Sequence, residues 1–157
     1  MVAVLFVCLG NICRSPMAEA IFRSQVSEAG LLNEVEIDSA GTGHWHIGKH
    51  AHEGTLGLLK QKQIAHDDLI ARQVTRDDLK QYDLVIAMDE QNFSDLQNMR
   101  KVEDDVEISL LLDYLPEQRD KNVPDPYFTG DFEEVYALIS ESCENLLADV
   151  RNRWLVS

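Results

Sequence analysis

Six apolar residues, Val2-Ala3-Val4-Leu5-Phe6-Val7, stand directly before Cys8-Leu9-Gly10-Asn11-Ile12-Cys13-Arg14-Ser15, and this junction constrains the fold more than any other stretch. The run is short, β-branched and aromatic, with no polar alternation, which is the pattern of a strand buried on both faces. Behind the octapeptide, Ser15 can cap, Pro16 suits a first helical position and Glu19 falls near the first turn. A helix is therefore expected from Ser15 to about Ala29, with Ala18, Ile21, Phe22 and Ala29 on one face and Gly30 as its stop. The octapeptide is then a strand-to-helix loop at the carboxyl end of a strand, the place where open α/β sheets bind ligands.

Such a loop suits an anion. Five residues lie between Cys8 and Arg14, enough to curl around one small object. Gly10 permits positive φ and Asn11 tolerates it, so backbone N–H groups from Leu9 to Ser15 can point inward as a nest. The following helix adds its positive end, and Arg14 adds a planar fork for two phosphate oxygens. Cys8 would lie at the floor of this electropositive curl, a setting that favours a nucleophilic thiolate facing phosphorus. Cys13, across the curl, is expected within disulfide range of Cys8, so peroxide could link the two reversibly; the alternative is that Cys13 only packs beneath the loop.

The rest of the chain alternates strands and helices. Val35–Ser39, Asp83–Met88 and Val106–Leu112 read as three more strands. Residues 51–62 read as a weak helix with Leu56 and Leu59 inward, Thr75–Asp78 as a short helix start, and Asp89 as the cap of another helix. From Asp131 the pattern is the clearest of all. Asp131 and Glu134 match a capping box, and Phe132, Val135, Tyr136, Ile139, Cys143, Leu146, Leu147, Val150 and Trp154 share one stripe. Cys143 belongs to that stripe and reads as core. The expected architecture is α/β: one domain over residues 1–157, a three-layer sandwich whose four-stranded parallel sheet carries helices on both faces.

Charge and composition exclude several classes. With 14 basic and 28 acidic residues the net charge is −14, so neither nucleic acid nor an anionic membrane surface is an expected partner. A phosphate ester is also repelled at long range, and its binding must come from short-range loop contacts. No stretch is long and apolar enough for a membrane span, and the first apolar run lacks the basic flank and length of a signal peptide. The expected location is the cytoplasm, with export by a route without a signal peptide left open. His44, His46, His50 and His52 have spacings a metal site could use, but no cysteine or carboxylate cluster accompanies them in sequence, and no metal or other cofactor is expected.

Ester cleavage needs an acid for the leaving oxygen, carried over the nest on a loop. Val123-Pro124-Asp125-Pro126-Tyr127-Phe128 is the candidate, since prolines on both sides restrict the backbone around Asp125. The octapeptide with its trailing Ser15-Pro16-Met17-Ala18-Glu19 resembles the catalytic loop of the low-molecular-weight protein tyrosine phosphatases. The resemblance extends to Asp38-Ser39-Ala40-Gly41, Trp45, Ala71-Arg72-Gln73, Met88-Asp89 and the Asp125 segment. It implies Cys8 as nucleophile, Arg14 as phosphate ligand and Asp125 as general acid and base. It also implies Asn11, Ser15 and Ser39 as loop supports, and a cleft for the substrate ring between outward-facing Leu9 and Ile12, Trp45, Tyr127 and Phe128. The implied substrates are phosphotyrosine-containing proteins, with phosphate and other oxyanions as ligands.

The chain departs from the resemblance at Leu69, where many members carry a histidine, and leaves open whether His66 takes over its bond to the phosphate loop. Two other activities on the same scaffold compete. Arsenate reductases need further cysteines late in the chain, where only Cys143 is found; arginine phosphatases tend to carry threonine at the position of Ile12. An idle phosphate-binding module would not need Cys8, Arg14 and Asp125 together.

Overall fold

The computed structural model describes residues 1–155. Strands Val2–Cys8 (β1), Val35–Gly41 (β2), Leu84–Ala87 (β3) and Glu107–Leu110 (β4) form one parallel sheet in the order β2-β1-β3-β4. Helices Arg14–Glu28 (α1), Glu53–Gln61 (α2), Asp78–Gln81 (α3), Glu90–Met99 (α4), Pro126–Thr129 (α5) and Phe132–Arg153 (α6) complete the α/β fold.

The period of two along β1 divides the core. Val2, Val4, Phe6 and Cys8 enter a cluster with Phe22, Val26, Ile139 and Cys143 from α1 and α6. Leu5 and Val7 enter a second cluster on the other face with Leu79, Val85 and Leu96. Every β1 residue is buried because both faces are covered, which is why the run shows no alternation. Phe6 meets Phe22 edge to face at 5.6 Å between ring centres. Since β1 pairs with β2 on one side and β3 on the other, the strand order reverses at β1. The carboxyl ends of β1 and β3 at this switch point carry Cys8 and, two residues past β3, Asp89.

Several expected boundaries shift. The α1 helix begins at Arg14, with Cys13 at the cap position and no side-chain cap bond, because the Ser15 hydroxyl turns inward to Cys8. Val26, not Ala29, closes its buried face; Ala29 is the exposed C-cap. In α2, Leu59 is buried as expected, whereas Leu56 is half-buried and Leu58 joins the core. The short α3 starts at Asp78, after Thr75 and Asp78 exchange side-chain-to-backbone bonds. The fourth strand stops at Leu110, whose partner Ala87 is the last residue of β3; Leu111–Tyr114 then form a 3₁₀ turn that still buries Leu111 and Leu112. Asp131 accepts from the Glu134 N–H at 3.0 Å, but the Asp131 N–H is bonded by Thr129 Oγ1, so the capping box is half made. Trp154 leaves the apolar stripe at the C-cap of α6 and is exposed beside Arg153. Among the described residues no helix is long and apolar enough to cross a membrane.

Candidate active site

The loop between β1 and α1 curls back on its own nucleophile candidate. The left-handed conformation falls on Asn11, at φ 56°, and not on Gly10. Gly10 answers to a different need, because a Cβ there would stand 2.9 Å from Cδ2 of His46. The neighbouring strand end presses equally close: a Cβ at Gly41 would lie 2.8 Å from the Leu9 carbonyl oxygen. Within the curl, Cys8 Sγ receives the Asn11 N–H at 3.3 Å and lies 2.9 Å from Ser15 Oγ.

A chain of buried polar groups holds this shape. The Asn11 amide donates from Nδ2 to Ser15 Oγ at 2.8 Å and to Ser39 Oγ at 2.9 Å, and its Oδ1 accepts the Arg72 N–H at 3.0 Å. Ser39 in turn donates to Glu19 Oε1 at 2.6 Å, and Arg23 donates to the other oxygen of Glu19. Burial pushes the Glu19 carboxyl up, while Ser39 and Arg23 pull it back. Both N–H donors and the oxygen of the Asn11 amide are thereby engaged, which over-determines its positive φ. From the other side, the His52 N–H donates to the Ile12 carbonyl at 2.7 Å and Thr55 Oγ1 to the Cys13 carbonyl at 3.2 Å. His66 does not take over the loop bond of the absent histidine: its ring pairs with the Ile64 carbonyl of its own turn, and Leu69 is a core residue.

Arg14 is nearly enclosed and draws two distant segments together, one at Asp89 and one at Val123–Asp125. Its Nη1 donates to Asp89 Oδ2 at 2.7 Å and to the Val123 carbonyl at 3.1 Å, and Nη2 lies 3.4 Å from Asp125 Oδ2. Burial works against its charge, but Cys8, Asp89 and Asp125 outweigh that and hold the guanidinium above its ordinary range. Asp125 caps the short α5 by accepting the Tyr127 N–H through Oδ1, which leaves Oδ2 toward Arg14. Cys13 is buried beside this group, and burial first, then the charges of Asp125 and Cys8, push its thiol up to about 12.

One cleft opens over these groups. Cys8, Gly10, Cys13 and Arg14 form its floor with Asp125 at the side, and Leu9, Trp45, His46, Tyr127 and Phe128 form its walls. Leu9, Trp45, Tyr127 and Phe128 are exposed. Ile12 lines the cleft too, but it does not face outward as expected: it is 9% exposed and turned onto Cys13, Ala71 and Phe132. Two of the four histidines of residues 44–52, His46 and His52, meet at the Tyr127 ring. His44 stacks on Trp45, His46 faces Tyr127, His52 caps α2 and stacks on Phe132, and His50 bridges to Ile70.

A family model described as low molecular weight phosphotyrosine protein phosphatase matches residues 3–154. The chain belongs to that family. The low molecular weight protein-tyrosine-phosphatase YfkJ of Bacillus subtilis is 50% identical over 151 residues, covering 96% of this chain and 97% of that protein. The crystal structure of YfkJ superposes with a TM-score of 0.94 over 98% of this chain and 97% of its own, at 49% identity. A protein tyrosine phosphatase from Entamoeba histolytica, with Hepes in its active site, reaches 0.90 at 32% identity over 97% of this chain and 98% of its own. DARP, a Drosophila arginine phosphatase, reaches 0.88 at 35% identity over 94% of this chain and 97% of its own. As a member of the phosphatase family the protein is a hydrolase.

Within this phosphatase three residues of the cleft region were not singled out for a role there by sequence. Asp89 reads as a helix cap within the resembling Met88-Asp89 pair, and it does cap α4, but its second oxygen holds Arg14. The signal was available, since an acid just past β3 lies on the same sheet edge as Cys8. Glu19 reads as a first-turn residue and is instead the buried acceptor at the end of the Asn11 chain. His46 reads in sequence only as a possible metal ligand, and nothing in its spacing marks it as a cleft wall.

Proposed function

We propose that this phosphatase hydrolyses phosphotyrosine in protein substrates through a phosphocysteine on Cys8, in the cytoplasm. The observation that carries the reading is that Cys8, Arg14 and Asp125 line one cleft whose walls are aromatic. The Cys8 thiolate attacks phosphorus, an S–P bond forms, and the phenolate leaves with a proton from Asp125. Water then attacks the phosphocysteine, Asp125 takes its proton, the S–P bond breaks and phosphate departs. Arg14 and the loop amides from Leu9 to Ser15 hold the equatorial oxygens, and their contacts strengthen as charge builds in the transition state. Ser15, 2.9 Å from Sγ, donates to the thiolate both before attack and as it leaves again. Leu9, Trp45, Tyr127 and Phe128 pack the substrate ring, and Ile12 backs the cleft from its buried position. No cofactor or metal enters these steps.

The low-molecular-weight loop also supports a redox role. Peroxide oxidises Cys8 to a sulfenic acid with loss of water, and Cys13 then displaces a second water to form the disulfide. Both thiols are free and both line the same cleft.

The likeness to DARP supports a second reading, phosphoarginine hydrolysis on the same groups. Ile12 favours phosphotyrosine, because an apolar residue there suits an aromatic ring rather than a guanidinium. Hydrolysis rates of matched phosphotyrosine, phosphoserine and phosphoarginine peptides decide between them. The phosphotyrosine peptide should be turned over fastest; a faster phosphoarginine peptide would replace the first reading with the second.

A further inference from the structure

Trp45 is 60% exposed, and its ring lies against its own loop. It stacks on His44 with ring centres 5.5 Å apart, and it covers Gly43 so closely that a Cβ there would stand 1.9 Å from the indole. The indole thus stands as a partition. One side of it faces the cleft that holds Cys8 and Arg14. On the other side lies a second groove, with Leu9 and Trp45 shared between the two and with Thr42, Asp95, Asn98 and Met99 as its own lining.

The chemistry of this groove is mixed in a defined way. Leu9, Met99 and the indole supply an apolar surface long enough for an aliphatic stem. Asp95 supplies a carboxylate: Gln91 donates to its Oδ1 at 3.0 Å, and no side chain pairs with its Oδ2 among the described residues. The hydroxyl oxygen of Thr42 is buried without a hydrogen-bond partner. An apolar bed ending in one carboxylate fits a lysine or arginine side chain, whose stem packs while its charged end stays near water and the acid. The overall charge of −14 points the same way. A phosphorylated segment carries a dianion that this surface repels, and a cation beside it offsets the repulsion.

We infer that the groove beyond Trp45 is a substrate subsite that seats a basic residue close in sequence to the phosphorylated tyrosine, with the peptide straddling the indole and Asp95 reading the charge. Resting on phosphotyrosine hydrolysis in the first cleft, this names the kind of protein segment preferred there.

A set of phosphotyrosine peptides, identical except for one lysine or one glutamate moved through the three positions on either side of the tyrosine, tests it. At one position, or at two adjacent ones, the lysine peptide should show a kcat/KM about threefold to tenfold above its glutamate counterpart, carried mainly in KM. That ratio should shrink in high salt, fall to near one in Asp95→Asn, and invert in Asp95→Lys. Inversion is the outcome a merely structural role for Asp95 would not produce. A ratio near one at every position, or a ratio that survives Asp95→Asn, overturns the subsite and leaves the phosphatase reading standing. Failure of the wild-type protein to hydrolyse any of the peptides overturns the phosphotyrosine reading itself.

Discussion

Arg14 and Phe128 line the same cleft, but they are held in opposite ways. Arg14 is 3% exposed and is bonded by two carboxylates and a carbonyl from two separate segments. Phe128 is 77% exposed and meets its neighbour Tyr127 edge to face. The floor is a saturated polar network in which each group has one available position. The rim is a set of aromatic surfaces on short loops. Reaction geometry needs reacting groups placed to within fractions of an ångström, and hydrogen-bond saturation provides that. Recognition of a ring needs area, which an exposed aromatic supplies with little specific bonding.

If this division is right, changes at the floor should remove turnover and changes at the rim should only weaken binding. The largest effect is expected for Cys8→Ser, which should abolish turnover while leaving inorganic phosphate binding, measured by calorimetry, largely intact, since the amides and Arg14 remain. Appreciable turnover by the serine variant would break the assignment of the nucleophile. Peroxide should also remove all activity, with dithiothreitol restoring it in the wild type but not in Cys13→Ser. Because the Cys13 thiol is pushed up to about 12, it stays protonated as pH rises until it nears that value. At pH 8 the Cys13 thiol therefore stays protonated, so iodoacetamide should label Cys8 and spare Cys13 in peptide mapping. Early Cys13 labelling would show that burial does not hold its thiol protonated, and equal recovery in both proteins would remove the redox proposal.

Asp125→Asn comes next, with a loss of about 10²–10³ in kcat on phenyl phosphates. The loss should shrink as the leaving phenol becomes more acidic; a constant loss would make Asp125 structural. Ser39→Ala strands the second Asn11 N–H and one oxygen of Glu19. It should cost about 1–3 kcal/mol of stability in a thermal or denaturant melt and lower kcat severalfold. An unchanged melt would show that the buried chain behind the loop does not depend on Ser39. The smallest effect belongs to the rim: Phe128→Ala should raise KM for a phosphotyrosine peptide about threefold with kcat nearly unchanged. A kcat loss matching that of Asp125→Asn would erase the distinction between floor and rim.

The same division explains what could be read from the chain without coordinates. The β1-loop-α1 unit was legible because its determinants are local: an unalternating apolar run, residues that allow a tight curl, and a proline at the helix start. The Pro124-Asp125-Pro126 segment was legible for the same reason. What escaped depends on partners far off in sequence. Glu19 looks like any first-turn acid until Ser39 is brought above it by β2. Ile12 turns inward because Ala71 and Phe132 arrive from other elements. The run after Val106 is apolar throughout, yet it is a strand only while β3 runs beside it, and its last residues satisfy burial equally well in a 3₁₀ turn. Trp154 keeps the helical spacing but falls where the helix ends.

Arg14 has a consequence in time as well as in space. Its bonds reach 75, 109 and 111 residues along the chain, to Asp89, Val123 and Asp125. During synthesis the thiol loop leaves the ribosome long before any of these partners exist. Contacts of such long sequence separation are also among the slower to form. A nascent or half-folded chain therefore carries a cysteine and an arginine but no assembled cleft. Competence arrives in one late step, when the segment around Asp125 docks, and recovery of activity on refolding should trail recovery of secondary structure.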